Sequence, residues 1–97
     1  MTLYFIETVD QSPLTSANWW DAASGGTNGY APMSGDVCYI QSGLCQSDNF
    51  SRAELHVSGG ATLGSNDGTV TTNDGTVTAN NGTVDNNYYG TVATNSG

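Results

Sequence analysis

A seven-residue repeat in the C-terminal third, residues 65–97, constrains the fold more than any other feature of this sequence. Three successive units read SNDGTVT, TNDGTVT and ANNGTVD, and a fourth Gly-Thr-Val begins at Gly90, after one extra residue in the Tyr88–Tyr89 pair. Residues 61–63, Ala-Thr-Leu, form a degenerate copy one period earlier. A repeat of fixed length predicts an architecture in which like units stack on one another.

Each unit combines a strand signal with a turn signal. The β-branched Thr-Val-Thr favours a strand with Val on one face and both Thr on the other. The preceding Asn-Asp-Gly or Asn-Asn-Gly favours a turn, because these residues tolerate left-handed backbone angles. Strands of about three residues are short for a hairpin meander. We therefore favour a β-solenoid in which each unit forms one side of a coil, with two sides giving about 14 residues per coil and three sides about 21.

The repeat also predicts two kinds of stacked side chain. One inward Val on each side would fill a narrow core, and Asn at the turns would stack its amides as ladders between coils. The residues predicted to form these ladders are Asn66, Asn73, Asn80, Asn87, Val70, Val77, Val84 and Val92.

These units resemble the Gly-Thr-Ile/Val-Asn-Asn repeats of bacterial filamentous adhesins, autotransporter passengers and some phage fibre proteins. In residues 2–40, an opening strand, an Asn-Trp segment, a Gly-rich loop and the frame Pro-x-x-Gly-Asp-x-Val-x-Ile resemble the N-terminal module that caps many bacterial and phage β-solenoids. The chain departs from that module by carrying Cys38 inside the strand and by lacking its Gly-Gly-Trp.

The resemblance implies an all-β fold, a short β-solenoid or parallel β-helix with about seven residues per side and an N-terminal β cap. Residues 1–60 would supply the cap and the first strands, and residues 61–97 the solenoid segment. Gly97 falls inside a repeat with no polar cap after it. Because an open solenoid end exposes unpaired backbone groups, we expect either a longer parent chain or a partner subunit covering this end.

Composition excludes several classes of partner. Leu, Ile, Val and Phe number only 16 and the formal net charge is −8, a combination typical of disorder, but the fixed period of the apolar residues argues for a fold. Arg52 is the only Lys or Arg, so the chain lacks the clustered cations that bind nucleic acid or an anionic membrane. No apolar run approaches the ~20 residues of a membrane span, and Met1 precedes a predicted strand rather than a signal peptide.

Two stretches outside the repeat read as strands. Residues 2–9, TLYFIETV, are apolar on both faces, which predicts a strand covered on both sides. Residues 51–58, SRAELHVS, alternate between an inward face of Ala53, Leu55 and Val57 and an outward face of Arg52, Glu54 and His56. On the outward face we expect a charge cluster in which Arg52 and His56 flank Glu54.

No catalytic or metal site is predicted. Glu54 and His56 have no nucleophile beside them, and the Asp residues of the repeat occupy turn or strand-edge positions rather than a glycosidase-like pair. Cys38 and Cys45, with one distant His, lack a four-ligand pattern, so no metal or other cofactor is expected. The two Cys would form either a small disulfide loop or, as we favour, two buried thiols.

Four aromatic residues are predicted to contact neighbouring subunits: Trp19, Trp20, Tyr88 and Tyr89. Adjacent Trp residues on a strand point in opposite directions, so we expect one of Trp19 and Trp20 in the core and the other on the surface. A surface Trp would serve either as a stacking platform for a sugar or as a subunit contact, since Trp is enriched in interface hot spots.

Together these features predict a non-enzymatic structural protein at a virion surface: a phage fibre, tail spike or capsid decoration protein. Its expected partners are copies of itself, other virion proteins or a host-surface glycan. The alternative is a fragment of an exported bacterial adhesin or autotransporter passenger at the cell surface. A remote alternative is an ice-binding solenoid that uses the Thr-x-Thr units at residues 69–71 and 76–78.

Overall fold

A computed structural model describes all residues 1–97, which form ten β-strands and one short 3-10 helix. The first half contains β1 Thr2–Ile6, the 3-10 helix Ser16–Asn18, β2 Trp19–Trp20, β3 Val37–Ser42, β4 Leu44–Cys45 and β5 Glu54–Val57. The second half contains β6 Thr62–Asn66, β7 Thr69–Asn73, β8 Thr76–Asn80, β9 Thr83–Asn87 and β10 Thr91–Asn95. The 3-10 helix has three residues, and no helical segment could span a membrane.

The strands form two sheets that wind into a β-solenoid of about four turns, which confirms the predicted fold class. Sheet A has the order β2-β1-β3-β5-β7-β9, and sheet B has the order β10-β8-β6-β4. Except for the antiparallel β1–β2 pair, all named strand pairs are parallel. Successive strands of the repeat alternate between the sheets, so each coil has two sides.

Strand register explains the period of seven. Thr69 lies opposite Thr83 in sheet A, and Thr62 lies opposite Thr76 in sheet B, so stacked residues are two repeat units apart. In the last coil Thr91 lies opposite Thr76 because of the extra residue before Gly90. The earlier coils are longer, as the pairing of Val37 with Glu54 shows.

The core lies between the two sheets and is filled by a single layer of inward-facing side chains from each sheet. Val70 and Val77 are fully buried, and burying a Val side chain stabilises the fold by about 1.5–3 kcal/mol relative to leaving it exposed. The buried apolar cluster comprises Leu3, Phe5, Trp19, Cys38, Ile40, Cys45, Leu55, Val57, Ala61, Leu63, Val70 and Val77. Eight of these precede residue 58, so the N-terminal half supplies more of the apolar core than the repeat does.

The glycines of the repeat are required for a reason different from the one predicted. None of them has a positive φ. A Cβ on Gly75 would lie 2.4 Å from the carbonyl oxygens of both Ser58 and Ala61, and one on Gly82 would lie 2.1 Å from the carbonyl oxygen of Gly68. The turns therefore need glycine because the backbone of the neighbouring coil approaches closely, not because the backbone is left-handed.

The Asn-Trp segment holds the N-terminal cap in place. Asn18 is fully buried, and its Oδ1 accepts from the N–H groups of Thr8 and Val9, while its Nδ2 donates to Asp10 and to the Ser12 carbonyl. These bonds fold the chain after β1 back onto itself. The cap thereby places β2 along the free edge of β1 in antiparallel pairing.

Strand pairing is continuous across residue 60. Parallel pairing runs without interruption from β1 through β3 and β5 to β7, and from β4 to β6. The strand β1 differs from the prediction: Leu3 and Phe5 are buried, but Tyr4 and Ile6 are only half-buried, because no second layer covers the outer face.

Candidate functional site

The candidate site is the uncovered end of the solenoid, formed by β9 and β10. Each of these strands has a hydrogen-bonded neighbour on one side only, β7 for β9 and β8 for β10. Val84 and Val92 point toward the core but are only partly buried, because no coil lies beyond them. This end of the solenoid therefore combines two free strand edges with an exposed extension of the apolar core.

Asparagine ladders run through the coils to this end, and they have a direction. In each step the Nδ2 of one Asn donates to the Oδ1 of the Asn in the next coil. The distances are 2.9 Å from Asn66 to Asn80, 2.8 Å from Asn80 to Asn95 and 3.0 Å from Asn73 to Asn87. Sheet A and sheet B thus carry one ladder each, with the same polarity.

Backbone groups fix that polarity. The N–H of Gly75 donates to the Oδ1 of Asn73, and the N–H of Gly82 donates to the Oδ1 of Asn80. The Nδ2 of Asn73 also donates to the carbonyl of Thr91, at 3.2 Å. If the amide of Asn73 or Asn80 were flipped, its Nδ2 would face the glycine N–H, donor against donor. The direction of donation along the ladders therefore does not reverse freely.

The two ends of the ladders are consequently unlike. At the head of the sheet B ladder the Oδ1 of Asn66 is buried and has no hydrogen-bond partner. At the tail, Asn87 and Asn95 receive a bond at Oδ1, but their Nδ2 groups donate to no other residue in the chain. The uncovered end therefore presents amide donors that lack acceptors.

Two exposed tyrosines stand beside this end. Tyr88 and Tyr89 lie in the turn between β9 and β10 and are 68% and 90% exposed. Trp20 is half-buried, and its Nε1 donates to Thr8 Oγ1. Trp19 is fully buried against Phe5 and donates to the carbonyl of Pro13, so its indole is not available to another subunit. The split between a core Trp and a surface Trp agrees with the alternation argument.

A row of stacked rings on the outer face of sheet A is a second surface feature, and the sequence reasoning missed it. Tyr4 stacks on Tyr39 with ring centroids 5.2 Å apart, and Tyr39 stacks on His56 at 4.7 Å. The three residues lie at paired positions of neighbouring strands. The sequence alone did not predict this pairing, because the coils that contain them differ in length. Since the rings cover each other's faces, mainly their edges remain accessible, which disfavours a flat platform for a sugar.

The expected charge cluster is wrong in one part. His56 Nε2 lies 3.0 Å from Glu54 Oε1 as expected, but Arg52 does not flank Glu54. The Arg52 guanidinium instead binds Asp48 Oδ2 at 2.9 Å and three backbone carbonyls, those of Asp48, Phe50 and Thr69. The single cationic side chain is thus occupied in joining a loop to the turn before β7.

Asp48 completes this joint. Its buried carboxylate accepts from the N–H groups of Asp67 and Gly68, each at 2.9 Å, as well as from Arg52. Burial opposes ionisation, but these hydrogen bonds and the Arg52 charge outweigh it and lower the pKa of Asp48. Together, Asp48 and Arg52 join the loop before β5 to the turn before β7.

The two cysteines are free, buried thiols, Cys38 in sheet A and Cys45 in sheet B. Burial raises the pKa of each to about 12, which removes the thiolate needed for nucleophilic chemistry at neutral pH. No group of three or more His, Cys, Asp or Glu side chains is arranged to hold a metal ion.

No protein-family profile, no curated protein and no solved structure matches this chain.

Proposed function

We propose that this protein is a non-enzymatic structural component of a virion, as part of a phage fibre, tail spike or capsid decoration protein. The observation that carries the proposal is the stacking of Val on Val and Asn on Asn in the coils of the repeat, toward one uncovered end. Such stacking builds a stiff rod in which each coil supports the next. Thr side chains on the outer faces keep the rod polar, which suits an exposed particle surface.

The remaining chemistry of the chain agrees with a structural role. The thiols are buried, the single Arg is bonded to Asp48 and backbone carbonyls, and the ring row on sheet A is stacked on itself. Two free strand edges and the unpartnered Nδ2 groups of Asn87 and Asn95 lie at the β9–β10 end, beside the exposed Tyr88 and Tyr89. This placement supports assembly through Tyr88 and Tyr89 with copies of the chain or with other virion proteins.

A bacterial surface adhesin would use the same rod, so it stays as the alternative function. A host-surface glycan would then bind at a tip or side of the solenoid. The ice-binding alternative receives less support, because the Thr-x-Thr units at residues 69–71 and 76–78 lie on opposite sheets and so do not form one array.

The decisive measurement is the mass and stoichiometry of the native material, by light scattering with denaturing mass spectrometry of the chain. Intact chains in a trimer or a large closed assembly would support a virion component. Replacing both exposed tyrosines by serine (Y88S/Y89S) should then dissociate the assembly. The matched control L14S/M33S removes two similarly exposed apolar side chains from the N-terminal half and should leave it intact.

A stable monomer in native material, with no associated virion protein, would contradict the proposal. Recovery of the chain as part of a much longer polypeptide in a bacterial cell envelope would favour the adhesin.

A further inference from the structure

The polarity of the asparagine ladders says what the uncovered end is able to bind. We propose that this end binds a further coil of the same Gly-Thr-Val-x-x-Asn repeat, supplied by a second polypeptide. The edge of that coil at which the Asn Oδ1 atoms are free to accept would face β9 and β10. The inference rests on the proposed structural role, since it names the partner of the same site. Its basis is the mismatch between the two ladder ends: an unpartnered acceptor at Asn66 and unpartnered donors at Asn87 and Asn95.

The side chains at the end set the sequence that the occupant needs. Val84 and Val92 require an apolar side chain directly above each of them, as Val70 and Val77 provide from the other side. Three residues further along each strand, the Nδ2 groups of Asn87 and Asn95 require an acceptor. A Val followed by an Asn at this spacing meets both needs, and Gly in the turn allows the close backbone approach seen at Gly82.

A second folded copy of this chain does not offer such an edge. Two copies meeting end to end through β9 and β10 would bring amide donors against amide donors, and Gly75 and Gly82 prevent the ladders from turning over. At the opposite end, β2 covers the edge of β1. In sheet B the N–H of Leu44 donates to Glu7 Oε1 and that of Gln46 donates to the Gln11 carbonyl. The cap therefore blocks head-to-tail growth by complete copies.

The test uses a synthetic peptide with the sequence of residues 68–95, which contains two coils and lacks the cap. Docked in register, its Asn73 and Asn80 would accept from Asn87 and Asn95 of the intact chain. Binding is followed by amide hydrogen exchange of the 97-residue protein. We expect slower exchange confined to β9 and β10, at a stoichiometry of one peptide per chain.

Two variants address the two contacts separately. Replacing Asn87 and Asn95 by aspartate (N87D/N95D) keeps the Oδ1 that accepts from the preceding coil and removes the Nδ2 donor. The affinity for the peptide should therefore fall on the order of tenfold or more. Replacing the exposed valines by threonine (V84T/V92T) keeps the β-branched shape and should also weaken binding. The control S24D/A31D adds the same charge at exposed positions of the N-terminal half and should bind like the unaltered protein.

Three results would overturn the inference: no protection of β9 and β10 at millimolar peptide, equal affinity for N87D/N95D and the control, or concentration-dependent protection of the same strands without peptide. The last result would show that a second copy is the occupant. Failure here leaves the stoichiometry of the native assembly unaffected, so the docking partner and the structural role are judged by separate measurements.

Discussion

Gly75→Ala is the substitution that most directly tests the packing of one coil on the next. The added Cβ would lie 2.4 Å from two carbonyl oxygens, those of Ser58 and Ala61, and 3.0 Å from Val57 Cγ1. Both oxygens belong to the backbone, and both already accept hydrogen bonds, from the N–H of Ala61 and of Thr76. Neither can move away without stretching a backbone hydrogen bond, which for Ser58 lies within the turn before β6 and for Ala61 joins two coils.

The expected cost follows from that crowding. Overpacking in a rigid site costs about 1–3 kcal/mol and occasionally more, and weakening two backbone hydrogen bonds adds about 1 kcal/mol each. We therefore expect Gly75→Ala to lower the free energy of unfolding by about 3–5 kcal/mol. In a chain of this size each kcal/mol corresponds to roughly 4–8 °C in Tm, so the loss would be evident in thermal unfolding as well.

Urea unfolding followed by circular dichroism measures the effect, with Gly35→Ala as the control. A Cβ on Gly35 would meet no atom within 4 Å, and its φ is not positive. That change should therefore be neutral or stabilise by up to about 1 kcal/mol through the entropy of the unfolded chain. If Gly75→Ala were as stable as Gly35→Ala, the close approach of neighbouring coils would not be the reason for glycine in the repeat.

Two further predictions concern ionisation. The pKa of Asp48 is lowered from 3.8 in the folded state, so its stabilising contribution is complete above that value and is lost as pH falls through the lower folded pKa. The free energy of unfolding should thus fall below about pH 4, and less steeply for Asp48→Asn than for the unaltered chain; identical slopes from acid titration of urea unfolding would contradict the role of Asp48. Because the pKa of both thiols is raised to about 12, Cys38 and Cys45 should not react with a disulfide reagent at pH 8 in the folded protein, and both should react in guanidinium chloride. Rapid labelling of either Cys in the folded protein would show that its burial is incomplete.

The repeat was sufficient to predict the solenoid because both its signals, the β-branched triplet and the turn residues, are local. The number of sides was not predictable, since a unit of seven fits one side of either coil. The register between paired strands decides the number of sides. Register depends on which units stack on one another, and not on the residues within a single unit. Asn66 and Asn73 look equivalent in sequence, but they begin ladders on opposite sheets.

Other features of the site escaped prediction because they depend on partners distant in sequence. Arg52 was expected beside Glu54, its neighbour on the same face of an alternating strand. The strand begins only at Glu54, however, so Arg52 lies in the preceding loop and is free to reach Asp48 and Thr69. The reason for glycine at the turns was likewise misjudged, because a single unit gives no information about the coil packed against it.

The extra residue at Tyr88–Tyr89 supports the proposed contact surface at the uncovered end. The strands on either side of it keep their pairing, with Asn87 opposite Asn73 and Asn95 opposite Asn80. The whole insertion is therefore absorbed in the turn, where it adds nothing to the core and leaves Tyr89 90% exposed. Exposing a tyrosine side chain brings no gain in folding stability. What the insertion adds is an aromatic side chain beside two free strand edges and two amide donors without acceptors, which is the combination that a docking partner would use.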